Sequence, residues 1–217
     1  MAYLEVERLD GCAMTDSRSH WDSAYNAKGE TGVSWYQSGP SRSLELIKAA
    51  APMRGTPIID VGAGASRLAD DLLVAGYSDL TLLDVSEVAL SRTRDRIGGA
   101  ANKVAWIVAD VTKWKPTRTW WIWHDRAVFH FLTDRAAQDA YIATLRQATV
   151  PGATVILSTF ALTGPEKCSG LPVQRYSADS LADRLGPDFA LDTKDTEQHQ
   201  TPFGTSQDFI YAGFRRR

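Results

Sequence analysis

Apolar residues recur along this chain with two different periods, and the alternation between them marks out its elements. Short runs dense in aliphatic, β-branched and aromatic residues, PIIDVG, DLTLLDV, KVAWIVAD, TWWIWHD and ATVILSTF, read as strands. Between them, ASRLADDLLVAG, SEVALSRTRDRIG and a stretch from about Asp134 to Thr149 show helical spacing of their apolar positions. Ser86 is placed to accept from the free N–H groups at the start of its helix. Gly76 and Gly98 fall where left-handed C-caps form, and Pro151-Gly152 reads as a turn. Strands alternating with helices predict a parallel sheet covered on both faces.

The two ends break this rhythm. Upstream, Ser19 to Lys28 and Ser41 to Ala51 predict short helices on either side of SWYQSGP; residues 1–16 show no clean period, and the first dozen are expected to be mobile. Downstream, the loop ALTGPEKCSGLPVQRY leads to a helix from about Ser177 to Leu185. The runs FALDTKDT and QDFIYAGFRR follow, close enough in sequence to pair antiparallel without a crossover helix. Residues 1–52 are expected to form a helical lid segment within the same domain as residues 53–217. A chain of 217 residues, 44% of them hydrophobic, suits one substantial core.

Composition then narrows the function classes. A formal charge of −2 gives no global field for nucleic acid, and Arg215-Arg216-Arg217 reads as a solvated basic end. No apolar run approaches the roughly 18 residues that span a bilayer, so no membrane partner is expected. The start, MAYLEVERLDG, carries acids where a signal peptide carries an apolar run. With only Cys12 and Cys168, this predicts a reduced, cytoplasmic protein. His20, His124, His130 and His199 with the two cysteines lack the spacing of zinc ligands, so no metal is expected.

Candidate chemistry begins where IIDVGAGASRL runs from a buried strand through Gly62-Ala63-Gly64 into a helix. Such glycines allow a tight turn and the close approach of a ligand, although many such turns serve geometry alone. Asp84 closes the next strand, 24 positions after Asp60, where a doubly wound fold places the carboxylate that receives a ribose diol. A dinucleotide fold requires a small residue where Arg67 stands, which argues against NAD. Asp60 beside the turn would repel a pyrophosphate and suit a cationic amino group or sulfonium, as in S-adenosylmethionine. At the tip of the third strand, Asp110 and Val111 offer an acceptor and an apolar surface for adenine.

Over residues 20–217 the chain resembles the class I S-adenosylmethionine-dependent methyltransferases. DVGAG at 60–64, LLDVS at 82–86, VADVT at 108–112, WHDRAVFHFL at 123–132 and VPGATVILSTF at 150–160 carry the resemblance. It implies a Rossmann-like α/β fold with a seven-stranded sheet, order 3-2-1-4-5-7-6, the seventh strand antiparallel. It also implies that Gly62 and Gly64 line the methionine part of the cofactor, Asp84 and Val85 the ribose, and Asp110 and Val111 the adenine. S-adenosyl-L-homocysteine would be the product. The likeness is to small bacterial members, and more distantly to protein lysine methyltransferases. The latter commonly show Asp-Lys-Gly after the fourth strand, where this chain has Asp125-Arg126-Ala127.

In that architecture WIWHDRAVFHFL is the fourth strand and the turn leaving it, beside the crevice where strand order reverses. Its ionisable groups are therefore expected at the lip of the cleft. Asp125, His130 and His124 are the candidate catalytic residues, able to take a proton from an acceptor. Trp35 and Tyr36 are candidate lid residues against the cofactor sulfonium, for which an aromatic face contributes about 0.5–2 kcal/mol. Trp21, Arg126, Cys168, Arg175 and Tyr176 are candidate substrate contacts. The expected activity is methyl transfer to a small-molecule nucleophile, with a thiol favoured because its pKa of about 8.5 leaves it partly ionised near neutrality. Methylation of protein lysine and cofactor binding without catalysis are the alternatives.

Overall fold

The computed structural model describes residues 12–217; the expected mobility of the first residues falls outside this range, save for Cys12. The strands are β1 (Ile58–Val61), β2 (Leu80–Asp84), β3 (Val104–Val108), β4 (Trp120–Arg126), β5 (Thr149–Phe160), β6 (Lys167–Cys168), β7 (Leu171–Pro172), β8 (Phe189–Gln200) and β9 (Ser206–Arg216). The helices are α1 (Cys12–Lys28), α2 (Ser41–Ala50), α3 (Leu68–Val74), α4 (Glu87–Ile97), α5 (Arg135–Ala148) and α6 (Ala178–Leu185). Seven strands form one sheet, order β3-β2-β1-β4-β5-β9-β8. β9 runs antiparallel to both neighbours. This is the predicted order, with β8 and β9 as its sixth and seventh strands; the two-residue strands β6 and β7 form a separate hairpin.

Period-two alternation sorts the strand residues onto two cores. Ile59, Val61, Trp123, Val155 and Leu157 pack with Tyr141 of α5 and Leu181 of α6. Ile58, Leu80, Leu82, Ile122 and Ile156 pack with Ile47 of α2, Leu72 of α3 and Leu90 of α4. Each fully buried side chain of this size contributes roughly 1.5–3 kcal/mol. The two cores therefore hold the sheet between helical layers and leave the carboxyl ends of β1 to β4 at one edge.

Several boundaries differ from those expected. α1 begins at Cys12, well before Ser19. Its weak amphipathic signal is offset by docking onto α4, where Arg18 donates to the Val85 carbonyl and Arg92 to the Tyr25 carbonyl. β5 starts at Thr149 and runs through Pro151-Gly152, with Gly152 at φ 85°, so the expected turn is an irregularity within a strand. The register slips between Trp120 and Ile122. That slip leaves Trp121 49% exposed while Trp120, Ile122 and Trp123 are buried. Among the described residues, no helix is long and apolar enough to cross a membrane.

Ser86 joins the front helix to this frame. Its hydroxyl accepts from the Ala89 N–H at 3.1 Å as the cap of α4 and donates to Asp22 of α1 at 2.6 Å. Ser86→Ala is expected to cost about 1–2 kcal/mol, read from the midpoint of urea unfolding.

Candidate active site

β1 ends in a turn that demands glycine at two positions. Gly62 and Gly64 have φ of 67° and 53°. A Cβ on Gly62 would collide with Val128, and one on Gly64 with the Tyr25 hydroxyl. The turn is fastened to β2 by the Gly62 N–H, which donates to the Leu83 carbonyl at 2.7 Å. Backbone thus lies bare at the edge of a cleft enclosing about 840 Å3 and open to solvent.

Two acids stand on that cleft. At the end of β2, Asp84 accepts from the Gly64 N–H at 2.8 Å and the Ser86 N–H at 2.7 Å, one on each oxygen. Burial raises its carboxyl to about 6 against the pull of these donors, and the nearby charges of Asp60 and Asp22 add to the rise. Beyond β3, one oxygen of Asp110 takes the N–H and hydroxyl of Thr112, at 2.9 and 2.7 Å. The other oxygen has no protein donor among the described residues. Val85, Ala109 and Val111 complete the wall. A held carboxylate for a diol, an acceptor beside an apolar surface, and side-chain-free backbone fit the ribose, adenine and methionine portions of S-adenosylmethionine.

Asp60 does not simply face that cleft. In β1 it lies in register with His124 of β4, so their side chains share one face of the sheet, 2.7 Å apart at Oδ1 and Nδ1. The other ring nitrogen of His124 lies 2.9 Å from the Ser43 hydroxyl of α2. Asp60, His124 and Ser43 line a second recess of about 550 Å3, which shares Tyr25, Trp35, Gly62 and Arg126 with the first.

The expectation that the ionisable groups of this stretch sit at the cleft's lip fails for Asp125 and His130, whereas His124 and Arg126 do line a recess. His124, Asp125 and His130 are 2%, 0% and 0% exposed. Asp125 accepts from the Val128 and Phe129 N–H groups, at 2.8 and 3.1 Å, and from the Tyr141 hydroxyl at 2.6 Å. Its carboxylate closes the turn leaving β4, in which Ala127 takes φ of 73°. Burial raises its carboxyl to about 6, opposed first by the Tyr141 hydroxyl. His130 sits between Phe131 and Phe160, and its Nδ1 accepts from the Phe160 N–H at 3.3 Å. Burial, and secondarily Arg126, lowers His130 to about 3, so the ring is neutral. Asp125 and His130 are absent from the walls of both recesses, and the aromatic neighbours that surround them account for the burial.

Aromatic residues of the front segment pack together beside the cleft. Trp21 meets Trp35 and Phe131 edge-on, with ring centroids 5.6 and 5.0 Å apart. Trp35 donates its indole N–H to the Tyr25 hydroxyl at 3.2 Å. Tyr36 lines the second recess. Tyr25 and Phe131 belong to this wall as well, Tyr25 following Trp21 by four positions on one face of α1.

Of the loop residues, Cys168 lines the cleft, its thiol pushed up to about 11 by burial. Arg175 instead pairs with Glu166 at 3.0 Å, away from both recesses. Tyr176 is buried in the core against Phe129, its hydroxyl accepting from Gln138. Neither of these two residues lines a recess. Arg126 lines both recesses.

Comparison with known proteins agrees with this geometry. Residues 58–152 match the model of a family described as a methyltransferase domain. The eEF1A lysine and N-terminal methyltransferase of Mus musculus is 26% identical over 134 residues, which are 62% of this chain and 18% of that protein. The chain thus spans less than a fifth of that relative's length. The Burkholderia thailandensis 1,6-didemethyltoxoflavin-N1-methyltransferase, solved with S-adenosylhomocysteine, superposes with a TM-score of 0.69 at 16% identity, covering 100% of this chain and 93% of that one. An S-adenosylmethionine-dependent methyltransferase from Anabaena variabilis gives 0.71 at 13% identity, covering 100% of both chains. These two likenesses are of fold.

Asp84 generates a prediction with two parts. Removing a charged hydrogen-bond partner costs about 1.5–3 kcal/mol, so Asp84→Ala is expected to weaken S-adenosylhomocysteine binding by roughly tenfold or more. Because the carboxyl is raised to about 6, it is charged above that pH, the form that accepts best from ribose hydroxyls. Affinity measured by calorimetry is expected to be level above about pH 7 and to fall as the pH drops through 6. A flat profile would remove Asp84 from the ribose contact.

Proposed function

We propose that this chain is an S-adenosylmethionine-dependent methyltransferase that transfers the methyl group to a small-molecule nucleophile, sulfur ahead of nitrogen or oxygen. The observation that carries the reading is the aromatic cover over the cleft. α1 and the segment after it bring Trp21, Tyr25 and Trp35 onto the glycine turn, with Trp21 packed against Phe131. Such a cover suits an acceptor that enters whole and is shut away from water. The Burkholderia protein, named as a 1,6-didemethyltoxoflavin-N1-methyltransferase, is a precedent for such an acceptor on this fold.

S-adenosylmethionine supplies an electrophilic methyl group on a sulfonium. The chain's part is to hold the two reactants in line and to exclude water. Gly62 leaves room for close approach at a turn that Gly64 completes, Asp84 and Val85 hold the ribose, and Asp110 with Val111 holds the adenine. Trp21 and Trp35 offer ring surfaces to the acceptor and to positive charge near it. A thiol with a pKa of about 8.5 loses its proton to water often enough to react without a protein base. Asp125 and His130 then act as positioning residues for the turn after β4. His124 orients Asp60, and Cys168 stays a neutral thiol in the wall.

A second reading, methylation of a lysine side chain on a protein, is favoured by the similarity to the mouse enzyme. Arg126 and Ala127 in place of the Lys-Gly that commonly follows the aspartate in such enzymes, and the aromatic cover, favour the first. Incubation with methyl-labelled S-adenosylmethionine and a whole-cell extract separates them. Label is expected in the small-molecule fraction and reduced with Asp84→Ala at cofactor concentrations below saturation. Label confined to precipitated protein would establish the second reading, and cofactor binding with no transfer to any fraction would favour a binding module.

A further inference from the structure

The guanidinium of Arg126 is anchored on three sides and left unsatisfied on the fourth. Its Nε donates to the Tyr211 hydroxyl at 3.3 Å, its Nη1 to the Trp35 carbonyl at 3.2 Å, and its plane lies 4.5 Å from the centre of the Phe209 ring. Nη2 is sealed from solvent and has no hydrogen-bond partner among the described residues. No described carboxylate pairs with this cation. Asp60 is turned to His124, and Glu197 reaches Arg126 through the Tyr211 hydroxyl, which donates to it at 3.0 Å. An arginine is permanently charged, and a donor of this kind enclosed without an acceptor is costly. A ligand that brings an anion would relieve that cost.

The direction in which the side chain leans identifies which ligand. The residues suited to the cofactor follow β1, β2 and β3. Arg126, at the end of β4, reaches the other way across β5, to Tyr211 and Phe209 of β9. Its Trp35 contact ties it to the aromatic cover, where Trp21, Trp35 and Phe131 line the same cleft as Arg126 and offer it ring surface. We propose that the methyl acceptor is a planar aromatic acid whose carboxylate is held by Nη2 of Arg126, with its ring against Trp21 and Trp35. This rests on the small-molecule methyltransferase reading and narrows it to an acceptor class.

The test uses 2-mercaptobenzoate and 2-mercaptobenzamide, which differ in charge at one substituent, as ligands of the full-length protein loaded with S-adenosylhomocysteine. The acid is expected to bind at least about tenfold more tightly, the worth of one charge-assisted hydrogen bond. Arg126→Gln should erase that preference while leaving S-adenosylhomocysteine affinity within about twofold, and Arg126→Lys should keep part of the preference. Equal binding of acid and amide to the unsubstituted protein overturns the proposal, and that comparison stands whether or not the variants fold. A loss of about tenfold in S-adenosylhomocysteine affinity in Arg126→Gln overturns it differently, by giving the guanidinium to the cofactor's own carboxylate. Failure of the unsubstituted protein to bind S-adenosylhomocysteine would instead remove the methyltransferase reading itself.

Discussion

Two backbone N–H groups, of Gly64 and Ser86, converge on the buried carboxylate of Asp84, and much of the site's geometry follows from that convergence. The first fixes the glycine turn after β1, the second the start of α4. Ser86 then caps α4 and binds Asp22, which carries the arrangement on to the front helix. Thr93 of α4 closes the circuit by donating to the Gly64 carbonyl at 3.1 Å. One desolvated carboxylate therefore sets the relative positions of two strands, a turn and two helices. Its raised pKa is the mark of that burial, and further donors from a ligand diol would act on it in a low dielectric, where each counts for more.

The polar residues of β4 show how one strand serves two ends. Successive side chains point to opposite faces, so His124 and Arg126 fall on the face of α2 and Tyr211, while Trp123 and Asp125 fall on that of α5. On the first face the polar groups border the recesses: Asp60 to His124 to Ser43, and Arg126 to Tyr211 to Glu197. On the second, Trp123 donates to Tyr141 at 2.9 Å and Tyr141 to Asp125, a network enclosed by core side chains. Buried networks of this kind are costly unless their members are satisfied, and Asp125 has a donor for each oxygen. Chemistry and architecture are thus divided between adjacent positions of one strand.

The chain's pattern by itself determined the alternation of strands and helices, the antiparallel ending, the glycine turn and the three acids at or near the ends of β1, β2 and β3. These are local facts: a period of two against 3.6, or a turn that admits glycine alone, is written in neighbouring residues. Together with the family resemblance they led to the sheet order. Tertiary structure decided what each polar group touches. Asp60 and His124 meet because β1 and β4 are in register, a pairing between residues 64 positions apart. His130 and Tyr176 disappear into the core because aromatic residues from separate elements close over them. Arg126 is left with an unmet donor because Trp35 on one side, and Tyr211 and Phe209 of β9 on the other, take up the rest of its guanidinium. Burial and partnership are sums over the folded surroundings, and no window along the sequence contains the terms.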